Sequence, residues 1–468
     1  MTEIKSAALE LGTERIRKLL VQYAVPAIIA MTASSLYNMV DSIFIGHGVG
    51  PLAISGLALT FPLMNLAAAF GSLVGVGAAT LVSMRLGQRD YATAQNVLGN
   101  VVMLNLILGI GFGLVAQLFL DPILYFFGAS EATIGYAREY MTVILAGNVV
   151  THMYLGLNSV LRASGHPRKA MYATINTVII NAVLDPLFIY GFGWGIRGAA
   201  IATILAQIIS LMWQFRLLSD RSELIHFRRG IYRLRGKIVR DILSIGMSPF
   251  LMNLTACFIV ILINKGLKTY GGDLMIGAYG IVNRLAFVFV MIVMGVNQGM
   301  QPIAGYNFGA QQYDRVLRVL RLTIICAVCI TTTGFLVGEF APHLAVSLFT
   351  TDEELIRLSV EGMRIVFICF PIIGFQMVAT NFFQSIGMAG KAIFMSLSRQ
   401  LLFLMPGLLF LPHFFEVSTP WDGSWGVWCA MPVSDLMATV VAFFMLTHQL
   451  RRFRAEHAAR SAENRPTL

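Results

Sequence analysis

Long apolar runs alternate with short polar segments along the whole chain. Most of these runs exceed 20 residues, which at about 1.5 Å per helical residue is enough to cross a hydrocarbon core of about 30 Å. Backbone groups inside a bilayer must be satisfied within the chain, so runs of this length are expected to be α-helices. Twelve helices are predicted, at Leu19–Ile45, Ala53–Val82, Asn96–Leu120, Ile134–Val160, Met171–Tyr190, Gly198–Leu218, Ile238–Leu267, Met275–Ile303, Val316–Phe340, Ile356–Ile386, Ala392–Phe414 and Val427–Leu450.

Composition leads to the same fold class. The 468 residues are 57% hydrophobic and only 12% charged, which is not the composition of a soluble enzyme. We therefore expect an all-α integral membrane protein with twelve transmembrane helices. The net charge of +10 comes from short basic clusters between apolar runs, so nucleic acid is not an expected partner.

The distribution of basic residues predicts the topology. Most of the 34 Lys and Arg residues lie in the terminal segments or follow an even-numbered helix, whereas the opposite loops hold Arg197 and Lys268. By the positive-inside rule, both termini and the long loop after the sixth helix are expected in the cytoplasm. No cleavable signal peptide is visible, so the first membrane helix is expected to lead insertion.

An internal repeat divides the chain into halves. LGQRDY from Leu86 matches FGAQQY from Phe308, and SGHPRKA from Ser164 matches IGMAGKA from Ile386. Two halves of the same orientation predict two six-helix lobes around a central cleft, related by an axis along the membrane normal. The predicted boundaries are 1–218 for the first lobe, 219–237 for a cytoplasmic linker, 238–450 for the second lobe and 451–468 for a cytoplasmic tail.

Two acidic residues in the first lobe are candidate functional groups. A charge such as Asp41 inside a membrane helix costs at least ~2.5 kcal/mol to insert, which makes it a functional-site hypothesis. Asn181 and Asp185 are four residues apart and share one face of the fifth helix. Counting helical rise from the basic clusters puts Asp41, Asp185 and Thr203 at matching depth. Two carboxylates in one desolvated pocket cannot both ionise cheaply, so the pair is expected to hold a proton or a small cation.

Four stretches carry a resemblance to a known family. They are LYNMVD from Leu36, LRASGHPRKA from Leu161, NAVLDP from Asn181 and GVNQGMQPIAGYNFGA from Gly295. From about Arg15 to Leu450 the chain resembles the multidrug and toxic compound extrusion (MATE) transporters, most of all their DinF-like and MepA-like branch. The resemblance implies cation-coupled export of amphipathic, often cationic, compounds by alternating access across a bacterial inner membrane.

Three further residues of the first lobe are candidates for the coupling machinery. Tyr37 precedes Asp41 by four positions, so it lies on the same helix face and is an expected hydrogen-bond partner. Asn158 matches a polar position of the family's first-lobe site, although a structural hydrogen bond between helices would also explain it. Pro26 removes a backbone hydrogen bond inside the first helix, and the resemblance implies a hinge there.

The second lobe does not repeat the acidic pair. Asn264 replaces Asp41, and Asp185 falls near Met405. A polar site there would consist of Asp435 with Arg284 and Arg399, and it is open whether these form a structural ion pair or a second coupling site. The middle of the tenth helix has no acid, which favours proton coupling over sodium coupling.

The expected function is a monomeric proton-coupled antiporter that exports drugs, with Phe61 and Met64 among the residues lining the substrate cavity. We expect no cofactor besides the coupling ion and no enzymatic activity, because there is no Walker A sequence, metal-ligand cluster or nucleophile–base set. Three alternatives are sodium-coupled export, a flippase for lipid-linked precursors and a non-transporting membrane protein.

Overall fold

The protein is described by a computed structural model that covers residues 8–463 except Trp421, so the ends of the predicted first lobe and tail lie outside the described residues. Ten long apolar helices and two bent helix pairs make twelve spans when each pair counts as one. We number them α1 (Ile16–Gly48), α2 (Leu52–Gly87), α3 (Tyr91–Leu118), α4 (Ile134–Ala146 with Asn148–Ala163), α5 (Pro167–Gly191), α6 (Gly195–Leu218), α7 (Gly236–Gly272), α8 (Leu274–Gly309), α9 (Tyr313–Phe340), α10 (Glu353–Phe367 with Phe370–Ser385), α11 (Ala389–Ser418) and α12 (Gly423–Phe453).

Two spans differ from the single helices that the sequence predicts. The two halves of α4 meet at an angle of 55°, and those of α10 at 53°. Gly147 lies at the bend of α4, where a Cβ atom would come within 2.5 Å of the Ile204 side chain, so α6 packs directly against it. Pro371 lies at the start of the second half of α10 and cannot donate a backbone hydrogen bond to the first half. Most other spans extend a few residues beyond the predicted ends, since polar end residues continue the helices.

Two π-helical segments lie at matching places in the two halves. Leu187–Gly191 ends α5, directly after Asp185 and Pro186. Ser398–Leu404 interrupts α11, which is the fifth span of the second half as α5 is of the first. Such segments are rare and often lie at functional sites. Because they lie at matching places, the two halves share local backbone geometry as well as sequence.

The buried core shows how the lobes are joined. One cluster on the side of the termini combines both halves, for example Leu19 and Val82 with Ile242 and Met300. On the opposite side there are two separate clusters, one built only from first-half residues and one only from second-half residues. The lobes therefore meet near the termini, and the cleft between them opens away from the termini.

Glycines permit the closest contact between the lobes. A Cβ atom on Gly77 of α2 would lie 2.0 Å from the carbonyl oxygen of Ile242, and one on Gly246 of α7 would lie 1.8 Å from that of Leu73. Ordinary side chains cannot occupy these positions while the two backbones stay in contact. Small residues at such crossings are the usual means of close helix packing in membranes.

Hydrogen bonds reinforce this closed end of the cleft. Arg162 Nη1 donates to Gln298 Oε1 at 2.6 Å across the lobes. Gln301 Nε2 donates to Thr80 Oγ1 at 2.8 Å one turn further along α8. The segment between α6 and α7 packs beneath, where the Arg235 amide donates to Asn100 Oδ1 of α3 at 3.0 Å.

Candidate cation-coupling site

The structure brings the two predicted carboxylates together inside the first lobe. Asp41 of α1 and Asp185 of α5 are only 5% and 0% accessible. Their carboxyl groups lie within hydrogen-bonding reach of each other. One oxygen of each, Asp41 Oδ1 and Asp185 Oδ2, has no hydrogen-bond partner among the described residues. Since two buried carboxylates repel each other, this geometry favours one bound proton or cation.

Neutral polar groups complete the site. Asn181 Nδ2 donates to Asp185 Oδ1 at 3.2 Å and to Thr203 Oγ1 at 3.3 Å. The Tyr37 hydroxyl and Thr203 Oγ1 are 2.8 Å apart, and either can donate. The contacts link α1, α5 and α6, as the predicted depths of these residues require.

Packing around the π segment fixes α5 against α1. The Tyr190 hydroxyl donates to the carbonyl oxygen of Phe44 at 3.0 Å. A Cβ atom on Gly48 would lie 2.6 Å from the Ile189 side chain, so the two helices touch at their outer ends. These contacts hold the segment that follows Asp185 close to the helix that carries Asp41.

One member of the site escaped the sequence analysis. Tyr140 of α4 is 1% accessible and lies within hydrogen-bonding reach of Thr203, close to Tyr37 and both carboxyl groups. The sequence gives it little signal, because Tyr140 directly follows the charged residues Arg138 and Glu139. Its burial explains the contact, since buried tyrosines normally pair their hydroxyl group. The bend of α4, which the sequence did not reveal, brings its first half to this depth.

Two other first-lobe candidates lie away from the acid pair. Asn158 of α4 donates to the carbonyl oxygen of Ala170 at 2.9 Å and to Thr174 Oγ1 at 3.5 Å. Thr174 is eleven residues below Asp185, or about 16 Å, so Asn158 does not reach the pair. Pro26 is buried in an unbroken α1, between the points where Ala24 and Ile28 touch α8.

The second-lobe candidates separate into a pair and a single residue. Arg399 Nε donates to Asp435 Oδ1, and Asp435 is 4% accessible. Arg284 is exposed on α8 and makes no ion pair within residues 8–463. Arg399 and Asp435 therefore form an ion pair that Arg284 does not join.

The predicted cavity residues both lie on α2. Phe61 is 45% accessible, and Met64 is half-buried and accepts a hydrogen bond from Thr60 Oγ1. Phe61 therefore offers a surface to a ligand or to lipid, whereas Met64 is partly used in packing.

The first-lobe site has the chemistry of a small-cation site. Carboxylate, amide and hydroxyl oxygens are ligands for hard cations, and the free Oδ1 of Asn181 is available beside the two free carboxylate oxygens. A proton needs only the two carboxyl groups. Both ions are therefore compatible with the donor set.

The comparison with protein families identifies the fold. The MatE family profile matches residues 26–187 and 247–409, one match in each half of the chain. The chain belongs to the MATE family. The resemblance seen in the sequence and the predicted all-α membrane fold are thereby confirmed, and this MATE protein is a multi-pass membrane transporter rather than an enzyme.

Similar proteins cover nearly the whole chain. The multidrug export protein MepA of Staphylococcus haemolyticus is 26% identical over 442 residues, which are 94% of this chain and 96% of MepA. The solved structure of the MATE multidrug transporter DinF-BH, a ligand complex, is 34% identical, with a TM-score of 0.85 over 93% of this chain and 96% of that one. The outward-facing structure of a multidrug resistance MATE transporter is 25% identical, with a TM-score of 0.88 over 96% and 98% of the two chains.

Proposed function

We propose that this MATE transporter exports amphipathic or cationic organic compounds in exchange for protons. The observation that carries the proposal is the contact between the buried carboxyl groups of Asp41 and Asp185, each with one unpartnered oxygen. The groups around them are neutral amides and hydroxyls, so the charge of the site depends on the ion it holds. MepA is a multidrug export protein and DinF-BH is a multidrug transporter, which supports organic compounds as the substrate class.

The shape of the molecule suggests the order of events. With cytoplasmic termini, as the basic loops predict, the cleft of this conformation opens to the outside of the cell. Proton uptake by Asp41 and Asp185 in this state removes negative charge from the first lobe and weakens its hold on a cationic compound. Bending of α1 at Pro26, next to its contact with α8, would then couple the site to closure of the cleft.

A transport assay tests the acid pair. The full chain is reconstituted in proteoliposomes, and movement of ethidium, a fluorescent amphipathic cation, is driven by a pH gradient in sodium-free buffer. Asp41→Asn and Asp185→Asn should each reduce transport to background, because either change removes the second ionisable group. Asp121→Asn is the matched control, because Asp121 lies at the surface in an ion pair with Arg138. This variant should keep full transport activity.

The same assay distinguishes the coupling ions. Transport by the unchanged protein should follow the pH gradient and should be unaffected when an inward or outward sodium gradient is added. Transport driven by a sodium gradient alone would show that Na⁺, rather than a proton, is the coupling ion at this site. Full activity of both asparagine variants would rule out the acid pair as the coupling site for either ion.

A further inference from the structure

A buried polar face continues from the acid pair toward the side of the termini. On α5, the residues Asn181, Thr177 and Thr174 precede Asp185 in the sequence at intervals of three or four residues. They therefore share one helix face, on the terminus side of Asp185. The facing helices present polar groups of their own, namely Thr203, Ser210 and Gln214 on α6 and Tyr154 and Asn158 on α4. Polar side chains are costly inside a membrane protein, so a continuous set between three helices calls for an explanation.

Hydroxyl groups in this set contact one another. Thr177 Oγ1 donates to Ser210 Oγ at 2.7 Å, and Ser210 is 1% accessible. The Tyr154 hydroxyl lies within hydrogen-bonding reach of both Thr174 and Thr177. Asn158 Nδ2 extends the set by one turn through its bond to Thr174. Unlike amides, hydroxyl groups both donate and accept, so they can pass a proton along.

The second lobe provides an internal comparison. Below Thr203, the buried face of α6 carries Ser210 and Gln214. Below Asp435, the buried face of α12 carries Ala438, Ala442 and Leu446 before the next buried polar residue, Gln449. Among the described residues of α12, the lobe without an acid pair therefore has no fully buried hydroxyl at the level where α6 carries Ser210.

Both ends of the polar face reach ionisable or unpartnered groups. Gln214 is fully buried and neither of its amide atoms has a hydrogen-bond partner among the described residues, which marks a place where water would be bound. At the terminus-side surface, His166 Nε2 and Glu223 Oε1 are 2.8 Å apart at a small cavity that Ser164 and Lys169 also line. From Asp185 to His166 there are 19 residues of α5, or about 28 Å.

We propose that this polar face is a proton path through the first lobe, from the Asp41–Asp185 pair to the His166–Glu223 pair. The inference rests on the proposed proton coupling. A proton leaves the acid pair as each hydroxyl oxygen along the face accepts one proton and gives up its own. The acid pair gains one negative charge as it loses its proton, and one proton reaches the terminus side without crossing the central cleft.

The described contacts leave two breaks that prevent a constant leak, one between Asn181 and Thr177 and one between Gln214 and the His166–Glu223 pair. Asn181 and Thr177 are one turn apart and make no hydrogen bond to each other. Asn181 Oδ1 has no hydrogen-bond partner among the described residues. A small movement of α5 against α6 is enough to close or open the connection, so the acid pair exchanges protons with the terminus side only in part of the cycle.

Removal of one hydroxyl tests the path. Thr177→Val keeps the shape of the side chain but removes the group that bonds Ser210. In proteoliposomes containing a pH-sensitive dye, ethidium-driven proton movement should slow by at least about tenfold. The maximal rate should fall while the half-saturating ethidium concentration stays unchanged, and Thr177→Ser should restore the rate. Thr323→Val is the matched control, because the buried Thr323 hydroxyl bonds the carbonyl oxygen of Val319 within its own helix.

The outcomes separate the two proposals. If the unchanged protein moves protons and both Thr177→Val and Ser210→Ala match its rate, the path is wrong while proton coupling stands. If the unchanged protein moves no protons with ethidium, the proposed function and the path both fail. Ser210→Ala removes a single oxygen atom and serves as the second variant should Thr177→Val fold poorly.

Discussion

A single methyl group at the closed end of the cleft should change the balance between conformations. In Gly246→Ala the new Cβ atom would lie 1.8 Å from the carbonyl oxygen of Leu73, 2.6 Å from its carbonyl carbon and 2.9 Å from its Cα atom. All three are backbone atoms, so no side chain can rotate away. Since real Cβ atoms keep at least 3.0 Å, α7 must retreat from α2 by about 1.2 Å. Overpacking of this kind costs about 1–3 kcal/mol.

The cost applies only to the conformation with the terminus side closed. A bias of about 1–3 kcal/mol changes the ratio of two conformations by about 5- to 150-fold, here toward a cleft open on the terminus side. Gly280→Ala is the matched control, because it adds the same methyl group to α8 with nothing within 4 Å. Both variants gain the same helix propensity, so their difference isolates the clash.

Distances between spin labels report the change. Phe126 of the first half ends the short helix Leu120–Phe126, and Leu348 of the second half directly follows the short helix Pro342–Ser347. Both are 78% accessible and lie at the side where the cleft opens. They would be labelled through cysteines on a background without the five native cysteines. In Gly246→Ala the population with the shorter distance should rise, and in Gly280→Ala it should not. Equal distance distributions in the two variants would refute the interlobe packing described above.

Two further changes test the charged pairs outside the acid site. Arg399→Ala leaves the buried Asp435 carboxylate unpaired, so it should lower the free energy of unfolding by about 3 kcal/mol and reduce the melting temperature. The double variant Arg399→Ala with Asp435→Asn should recover part of that reduction. Burial lowers the pKa of His166, an effect that Glu223 opposes. The unfolded chain therefore takes up a proton first as pH falls through about 6.5, so the melting temperature should fall below that pH in the unchanged protein and less in His166→Gln. Charged groups that face this ring are Glu223, Lys169 and Asp220.

The sequence predicted the relative depth of the candidate site residues because each helical residue adds a fixed rise. Counting residues from the basic clusters placed Asp41, Asp185 and Thr203 at one level, and in the structure Asn181 bonds both Asp185 and Thr203. Counting cannot show which way a helix turns its faces when apolar residues surround it on all sides. For that reason counting does not find Tyr140. Asn158 was a candidate through the family resemblance alone, and it lies about 16 Å too deep to reach the pair.

The fold was less fully predictable at the bends and between the lobes. Apolar periodicity runs through Gly147 and the break before Pro371 without interruption, so two bent spans look like straight ones. The close approach of Gly246 to Leu73 depends on how the two halves dock, which no local pattern encodes. The repeat predicted two lobes, but it could not predict that their cores merge on one side and separate on the other.

The difference between the lobes explains why one of them should carry the coupling. Each lobe joins its fifth and sixth spans by a polar contact beside a π segment, through Asn181 and Thr203 in the first and through Arg399 and Asp435 in the second. In the second lobe the guanidinium is a permanent cation, so the buried carboxylate is already neutralised and has little affinity for another positive ion. In the first lobe no fixed cation among the described residues bonds Asp185, which supports the proposal that an exchangeable proton balances its charge. Only a balance of that kind can change during a transport cycle.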